Sequence, residues 1–456
     1  MAAVVAMAAA WAMLCACTDA QAQSVPIELH PYELRVFLRD VDSVGVDLPR
    51  ETVLASYDQY LTEWRRTAEA TVTARAELVF AGSRGLGSAA DVAAGLAQFR
   101  ESAKRADGME ARLFERLAEH ATTSAQAQAI AAARTARSAA RVEVSVAHLA
   151  RYFRSRTFDI DDAISRFART RDLKVAVSAA LRKSADERLT ASRALQDAMT
   201  KALLLRGANA DAAGLASVDL DAEFRAAREQ DDAAEDKRSE DSDTSEEEDS
   251  ASQRLFERIM GVYAEPNRQV WKPAVAFGRQ QWNAVVECAK LLPAGQRNRL
   301  LRAASDSLIP ELEQWDDHDE ELIRIMGWKK APAGCRERVV EAAHAWLEAD
   351  SQALLDAARE AWIRLSTGEP ASDAQQEEAG EVSRALATRR GALWQEFIDR
   401  IGPCNPPEGD PGWDEYERRQ EARMQSGSES ASSADEGRGD AESDETRSDF
   451  CDEPDA

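Results

Sequence analysis

The residues best suited to chemistry form a run of carboxylates near the N-terminus. Asp40, Asp42 and Glu51 stand at positions 1, 3 and 12 of a twelve-residue segment, with Gly45 at position 6 and Asp47 at position 8. Carboxylate oxygens around a glycine turn are the ligands that calcium takes in short loops. Residues 40–51 therefore offer four candidate metal ligands, which are Asp40, Asp42, Asp47 and Glu51.

The same segment resembles a degenerate EF-hand calcium loop. It departs from that pattern at position 5, where Val44 has no side-chain oxygen, and at position 8, where Asp47 replaces the usual apolar residue. No second loop follows it in the sequence. The competing interpretation is a helix–turn–helix in which Gly45 turns the chain and Asp47 caps the next helix.

A second candidate pair lies in the last third of the chain. Glu341 and His344 are three residues apart, a spacing that places both side chains on one face of a helix. Di-iron bundles need two such pairs, and the sequence contains one, so we interpret it as a surface pair. Five histidines, with no nucleophile elbow, P-loop or His-Glu-x-x-His motif, favour a protein that is not an enzyme and has no cofactor.

The N-terminus has the features of an export signal. Residues 1–16 are apolar or small, the first charge is Asp19, and so short a run does not span a bilayer. The small-x-small pattern at 20–22 predicts cleavage after residue 22, although no basic residue precedes the apolar run. Alternatively, residues 14–17 resemble a degenerate bacterial lipobox with Cys17 as a lipid anchor, or the segment stays attached as an apolar helix. We expect a periplasmic or secreted protein, or a membrane-anchored lipoprotein, with no transmembrane segment in the mature chain.

Most of the net charge of −25 lies in two segments. Residues 228–250 contain 12 acidic and 3 basic side chains, and residues 410–456 contain 16 acidic and 5 basic ones. Both are rich in Ser, Asp and Glu and poor in aromatic residues, so they bury too little apolar area to become ordered. We expect a disordered linker at 229–250 and a disordered tail at 404–456. The acidic balance also argues against nucleic acid as a partner.

The rest of the chain has helical periodicity almost throughout. Alanine is abundant, and apolar residues recur at steps of three and four. We predict an all-α fold with two antiparallel bodies that resemble helical bundles or coiled coils, one over 27–228 and a Trp-rich one over 251–403. The predicted signal peptide at 1–22, the linker and the tail complete the chain.

Glycine and proline set the predicted helix ends. The helix that begins after Pro49 is expected to run to Phe80, and Ser88 with Asp91 is expected to cap a helix toward Arg105. Further helices are predicted over 109–120, 125–153, 160–168 and 173–205, with a stop at Gly207. Prolines are expected to divide the second body into shorter helices at Pro273, Pro293, Pro310 and Pro332.

Tryptophan and cysteine distinguish the second body from the first. Its tryptophans are Trp271, Trp282, Trp315, Trp328, Trp346, Trp362 and Trp394. They predict either an aromatic binding groove or, as we favour, the core of a bundle otherwise rich in alanine. Outside the signal, the cysteines permit three disulfide connectivities, of which one pairs Cys288 with Cys335 and Cys404 with Cys451. Cys288, in an apolar stretch, is alternatively a buried free thiol.

Two short segments carry a family resemblance. Residues 122–126 and 292–296, each at a helix start, resemble the Leu-Thr-x-x-Gln motif of periplasmic helical stress chaperones such as Spy. Both copies depart from the motif, so no functional residue is carried over. The leading hypothesis is an exported, non-enzymatic binding or scaffold protein of periplasmic chaperone type, which holds other polypeptides through amphipathic helices. The alternative is a divalent-cation protein that binds calcium through residues 40–51 and the acidic segments; an enzyme on a helical scaffold ranks third.

Overall fold

The computed structural model describes most of the chain. The described residues are 34–71, 87–150, 153, 157–216, 218–240, 250–309, 312, 318–328, 331–367 and 373–406. Within these ranges every element of regular secondary structure is helical, which confirms the all-α class. Of the helices in these ranges, none has the length and apolarity that crossing a bilayer requires.

The described helices vary from eight to 39 residues in length. They are α1 (Leu34–Ser43), α2 (Arg50–Thr71), α3 (Ala89–Glu119), α4 (Ser124–Ala150), α5 (Ile160–Phe167), α6 (Arg171–Lys183), α7 (Ala185–Ala212), α8 (Leu220–Glu240), α9 (Ala251–Ala289), α10 (Ala294–Leu308), α11 (His318–Met326), α12 (Cys335–Thr367) and α13 (Asp373–Ile401), with a 3-10 turn at Gly402–Cys404. The chain divides into two compact units. The larger contains Met1–Trp315 and Trp346–Leu393, and the smaller contains Asp316–Ala345 and Trp394–Ala456.

Helix α7 lies at the centre of the larger unit. Helices α3, α4 and α9 all pack against it. The buried side chains of Leu195, Met199 and Leu203 on α7 share one core cluster with Val270 and Phe277 on α9. Because these side chains come from both sides of the acidic segment, the expected arrangement of two separate bodies is not confirmed. Amphipathic helices bury their apolar faces against whichever face is complementary, regardless of sequence distance.

The segment expected to be a disordered linker is helical over its first half. Helix α8 continues through residues 229–240 and ends at Glu240, which corrects the expectation for these residues. The carboxylate of Asp231 accepts hydrogen bonds from the amides of Ala251 and Ser252, at 2.6 and 3.2 Å, in the first turn of α9. An acidic side chain on a helix N-terminus is stabilising, so this acidic stretch has a structural partner. Residues 241–249 and 407–456 lie outside the described residues.

Gly207 does not stop a helix, contrary to the prediction. Helix α7 continues past it to Ala212, and Gly214 follows with a φ of +66°. A Cβ atom on Gly207 would lie 2.9 Å from the Cα atom of Ala89, at the start of α3. Glycine costs about 1 kcal/mol inside a helix, but here it lets two backbones approach closely.

Two prolines lie inside α9, the longest of the described helices. The sequence predicts a break at Pro273, but α9 runs through both Pro266 and Pro273. Pro266 has no amide to donate to the carbonyl of Val262, and the side-chain amide of Asn209 on α7 donates to that oxygen at 3.4 Å. The hydrogen bond from Asn209 on α7 thus satisfies the carbonyl oxygen of Val262, which Pro266 leaves unpaired. Pro293, in contrast, stands immediately before α10, as expected.

Other helix boundaries differ in smaller ways. The capping box of Ser88 and Asp91 is confirmed, but its helix, α3, continues without a break to Glu119. The predicted helix over 173–205 is two helices, because α6 ends at Lys183 and α7 begins at Ala185. Helix α2 is described as far as Thr71, and residues 72–86 lie outside the described ranges.

Candidate functional site

The predicted calcium segment is a helix end followed by a turn. Asp40 and Asp42 belong to the last turns of α1, and Glu51 lies in the first turn of α2. Gly45 has a φ of +70°, and its amide donates to the carbonyl of Asp42 at 3.2 Å. A glycine in the left-handed region after a helix is the usual way to end that helix. The backbone therefore has the helix–turn–helix form of the competing interpretation.

One of the candidate ligands in this segment, Asp42, has other partners. Asp42 accepts from Nη1 of Arg50 at 3.3 Å and from Nη2 of Arg171 at 2.9 Å. Asp47 is exposed, and its backbone carbonyl accepts from Nε2 of Gln126. A cation at this segment would have to compete with the two guanidinium groups for the oxygens of Asp42. Calcium binding by residues 40–51 stays a prediction.

Glu341 and His344 lie together on the surface of α12. Both side chains are exposed. Across the described ranges, no three His, Cys, Asp or Glu side chains come close enough together to hold a metal ion. The pair lies at the surface, as predicted from the presence of one Glu-x-x-His pair where a di-iron bundle needs two.

The tryptophans of the second predicted body lie mainly in the core. Trp282, Trp346, Trp362 and Trp394 are each no more than 8% exposed. Trp271 is partly buried and packs against the largest core cluster. For these five rings the core interpretation is confirmed.

The cysteines pair differently from the pattern that the sequence suggested. A disulfide joins Cys335, the first residue of α12, to Cys404 in the 3-10 turn. Cys288 is a free thiol, buried in the core of the larger unit, with its Sγ 3.7 Å from the carbonyl oxygen of Val177. The pairings Cys288–Cys335 and Cys404–Cys451 are therefore wrong, and the free-thiol alternative for Cys288 is confirmed. Cys451 lies outside the described residues.

The first of the two segments that resemble the chaperone motif, residues 122–126, is a helix cap. The amides of Thr122 and Thr123 donate to Oε1 of Gln126 at 2.8 and 3.1 Å, and the amide of Gln126 donates to Oγ1 of Thr123 at 3.2 Å. This is a capping box, which stabilises helix starts in proteins of any function. The segment therefore has a structural role at the start of α4.

Helix α11 exposes apolar side chains to solvent. Ile323 is 62% exposed and Met326 is 54% exposed, and because they are three residues apart they lie on one side of the helix. Leu322 and Ile325 on the same helix are buried. Surface helices of globular proteins usually direct polar side chains to water. We refer to Ile323 and Met326 as the α11 face.

A small cavity lies among helices α4, α5, α6 and α7 of the larger unit. Its lining residues are Ala136, Arg137, Ala140, Asp161, Ser178, Leu181, Arg182 and Arg188. The cavity volume is about 20 Å³, enough for one particle of the size of a water molecule. It is uncommon for three arginines to line so small a cavity, because arginine side chains are rarely buried unless they are paired. We refer to it as the arginine cavity.

Carboxylates hold two of the lining arginines in place. Nε of Arg188 donates to Oε1 of Glu143 at 2.8 Å, and Nε of Arg137 donates to Oε1 of Glu110 at 2.9 Å. Burial lowers the pKa of Arg188, but the adjacent Glu143 carboxylate outweighs burial and raises the pKa above its ordinary value. Both guanidinium groups are therefore held at the cavity wall by carboxylates, and that of Arg188 stays charged.

A separate buried cluster surrounds Asp350. Its carboxylate accepts from Nδ2 of Asn298 at 2.7 Å, from Nη2 of Arg302 at 3.0 Å and from Nε of Arg390 at 2.6 Å. Burial raises the pKa of Asp350, but the two guanidinium groups outweigh burial and hold the pKa below its ordinary value. Because the cluster ties α10, α12 and α13 together, we interpret it as structural.

The comparisons with known proteins return no match. Neither the family models, nor the curated proteins, nor the solved structures contain a match to this chain.

Sequence reasoning missed both the α11 face and the arginine cavity. A signal for the first was present, because Leu322, Ile323, Ile325 and Met326 are four apolar residues in a run of five, and one face of a helix cannot bury them all. No comparable signal exists for the cavity. Its lining residues span 53 positions on four helices, and only their packing brings them together.

Proposed function

We propose that this is an exported, non-enzymatic protein that binds other polypeptides through the α11 face. The observation that carries the proposal is the exposure of Ile323 and Met326, at 62% and 54%. Exposed apolar area is unfavourable in water and is commonly retained where a partner covers it. Methionine is flexible and polarisable, so it adapts to apolar partners of varied shape.

The chemistry of this surface favours polypeptide partners with apolar side chains. Arg324 lies between the two exposed residues, and on α11 its side chain is partly buried with Nη2 3.3 Å from Oε1 of Glu321. An ion pair on the same helix thus lies close in sequence to the exposed pair, and apolar contact sites on proteins usually have a polar rim. Unfolded or amphipathic segments of many different sequences expose apolar side chains that could pack against this surface.

Two features support export as part of this proposal. The first is the apolar run at residues 1–16 with its small-x-small site at 20–22. The second is the Cys335–Cys404 disulfide, because disulfides persist in oxidising compartments and are rare in the reducing cytosol. The mass of the protein purified from its host distinguishes cleavage after residue 22 from lipidation at Cys17 and from an uncleaved chain.

An aggregation assay tests the binding proposal. Guanidinium-denatured citrate synthase diluted into buffer is the client, because its aggregation needs no reductant and leaves the Cys335–Cys404 disulfide intact. The protein is expected to delay this aggregation, measured by light scattering. The double variant Ile323→Ser with Met326→Ser is expected to lose most of this protection, because both apolar contacts are removed.

A matched control removes the same residue types elsewhere. Met260 on α9 and Ile363 on α12 are 44% and 60% exposed, so Met260→Ser with Ile363→Ser deletes comparable exposed area. This variant is expected to protect the client as well as the unmodified protein does. Equal loss of protection in both double variants, or no protection by the unmodified protein, would overturn the proposal.

A further inference from the structure

The arginine cavity contains a buried hydroxyl group that the protein itself leaves without a partner. Ser178 on α6 is 3% exposed, and its Oγ makes no hydrogen bond to any residue in the described ranges. Most buried hydroxyl groups in proteins are hydrogen-bonded, because burial without a partner is costly. Since Ser178 lines the cavity, a molecule or ion bound there could form the missing hydrogen bond with this hydroxyl.

The other polar groups at the wall are mostly cationic donors. Arg137, Arg182 and Arg188 contribute three guanidinium groups, each with several N–H donors, and Asp161 contributes one carboxylate. Asp161 is itself bound to Nη2 of Arg39 at 2.8 Å, which reduces its repulsion of an anion. Glu110 and Glu143 offset part of this positive charge, and the Ser178 hydroxyl adds a donor that is suited to an anion.

The size of the cavity restricts the class of anion. A volume of about 20 Å³ matches about one water-sized particle, which favours a monatomic ion over a tetrahedral phosphate or sulfate with four oxygens. A halide ion is a single atom that accepts hydrogen bonds from all directions and carries one negative charge. We propose that the arginine cavity binds a single chloride ion through Ser178 and the surrounding arginines. This inference is independent of the α11 face.

Bound chloride stabilises the folded state, because the cavity does not exist in the unfolded chain. The melting temperature is expected to rise by about 3 °C or more when sodium gluconate is replaced by sodium chloride at constant ionic strength. Constant ionic strength is needed because salt also screens surface charges. Ser178→Ala is expected to abolish or strongly reduce the dependence on chloride.

A second buried serine provides the matched control. Ser305 on α10 is 1% exposed, its Oγ likewise has no hydrogen-bond partner in the described part of the chain, and it does not line the arginine cavity. Ser305→Ala is expected to leave the chloride dependence unchanged. A chloride effect that is equal in the two variants, or equal in gluconate and chloride for the unmodified protein, overturns the proposal.

Bromide gives a direct test that needs no variant. Crystals of the mature protein grown in sodium bromide are expected to show an anomalous scattering peak within hydrogen-bond distance of Ser178 Oγ. Electron density at that position without an anomalous signal would identify a water molecule and overturn the chloride assignment. A bromide peak found only at the protein surface would overturn it as well.

Discussion

Gly278 lies directly against the indole ring of Trp362, and a Cβ atom on Gly278 would be only 2.7 Å from Cη2 of that ring. The two residues belong to α9 and α12, and both are buried. Few Cβ atoms tolerate such a contact, so the position requires glycine although glycine weakens a helix. Packing of the tryptophan ring therefore determines the residue at a distant position on another helix.

The first prediction compares two glycines of α9. Gly278→Ala is expected to lower the free energy of unfolding by about 1–3 kcal/mol, because the new methyl group overpacks the Trp362 ring. Gly261 has no atom within 4 Å of an added Cβ, so Gly261→Ala is expected to be neutral or to stabilise by up to about 1 kcal/mol. Urea unfolding of both variants measures the difference. Equal effects would show that the Trp362 contact is unimportant.

The second prediction concerns the buried carboxylate of Asp350. Asp350→Asn is expected to lower the free energy of unfolding by about 3–5 kcal/mol, because it leaves the guanidinium groups of Arg302 and Arg390 buried without their counter-charge. Asp356, paired with Arg389 at 3.1 Å, is about 40% exposed. Asp356→Asn, the control, is expected to cost at most about 1 kcal/mol in the same urea assay.

The third prediction is the pH dependence of the Asp350 cluster. Because the pKa of Asp350 is lower in the folded chain, its contribution to stability is present above the unfolded value near 3.8 and is lost as the pH falls through the folded value. The urea midpoint is therefore expected to fall below about pH 4, where folded and unfolded chains differ in proton uptake. The fall should be smaller in Asp350→Asn. Parallel curves for the two proteins would contradict the lowered pKa.

The fourth prediction tests the disulfide between Cys335 and Cys404. Reduction is expected to lower the free energy of unfolding by about 2–4 kcal/mol, because the bond closes a loop with a sequence separation of 69. Melting curves with and without dithiothreitol measure this loss. The variant Cys335→Ser with Cys404→Ser should melt at the lower temperature in both buffers. If dithiothreitol leaves the melting temperature of the unmodified protein unchanged, the Cys335–Cys404 pairing is contradicted.

The fifth prediction is that Cys288 is unreactive in the folded protein. Burial raises the pKa of its thiol to about 12, so very little thiolate exists at pH 8. Iodoacetamide is expected to modify Cys288 only after unfolding in urea, as measured by peptide mass mapping. Modification at similar rates in native and denaturing buffer would show that the thiol is accessible.

The sequence by itself determined the helical class and several local features. Abundant alanine and steps of three and four residues between apolar positions predict helices, because both act through contacts within one or two turns. The capping box of Ser88 and Asp91 and the turn at Gly45 are local in the same sense, since each involves residues no more than a few positions apart.

Only the tertiary structure decided the helix ends and the pairing of distant groups. Pro266 and Gly207 have unfavourable local preferences for a helix, yet packing against Asn209 and Ala89 outweighs them. Tertiary structure alone also decided the disulfide pairing, the arginine cavity and the exposure of the α11 face. Each depends on which helices lie next to one another, and that depends on the sum of many weak contacts between residues far apart in the chain, which no local pattern records.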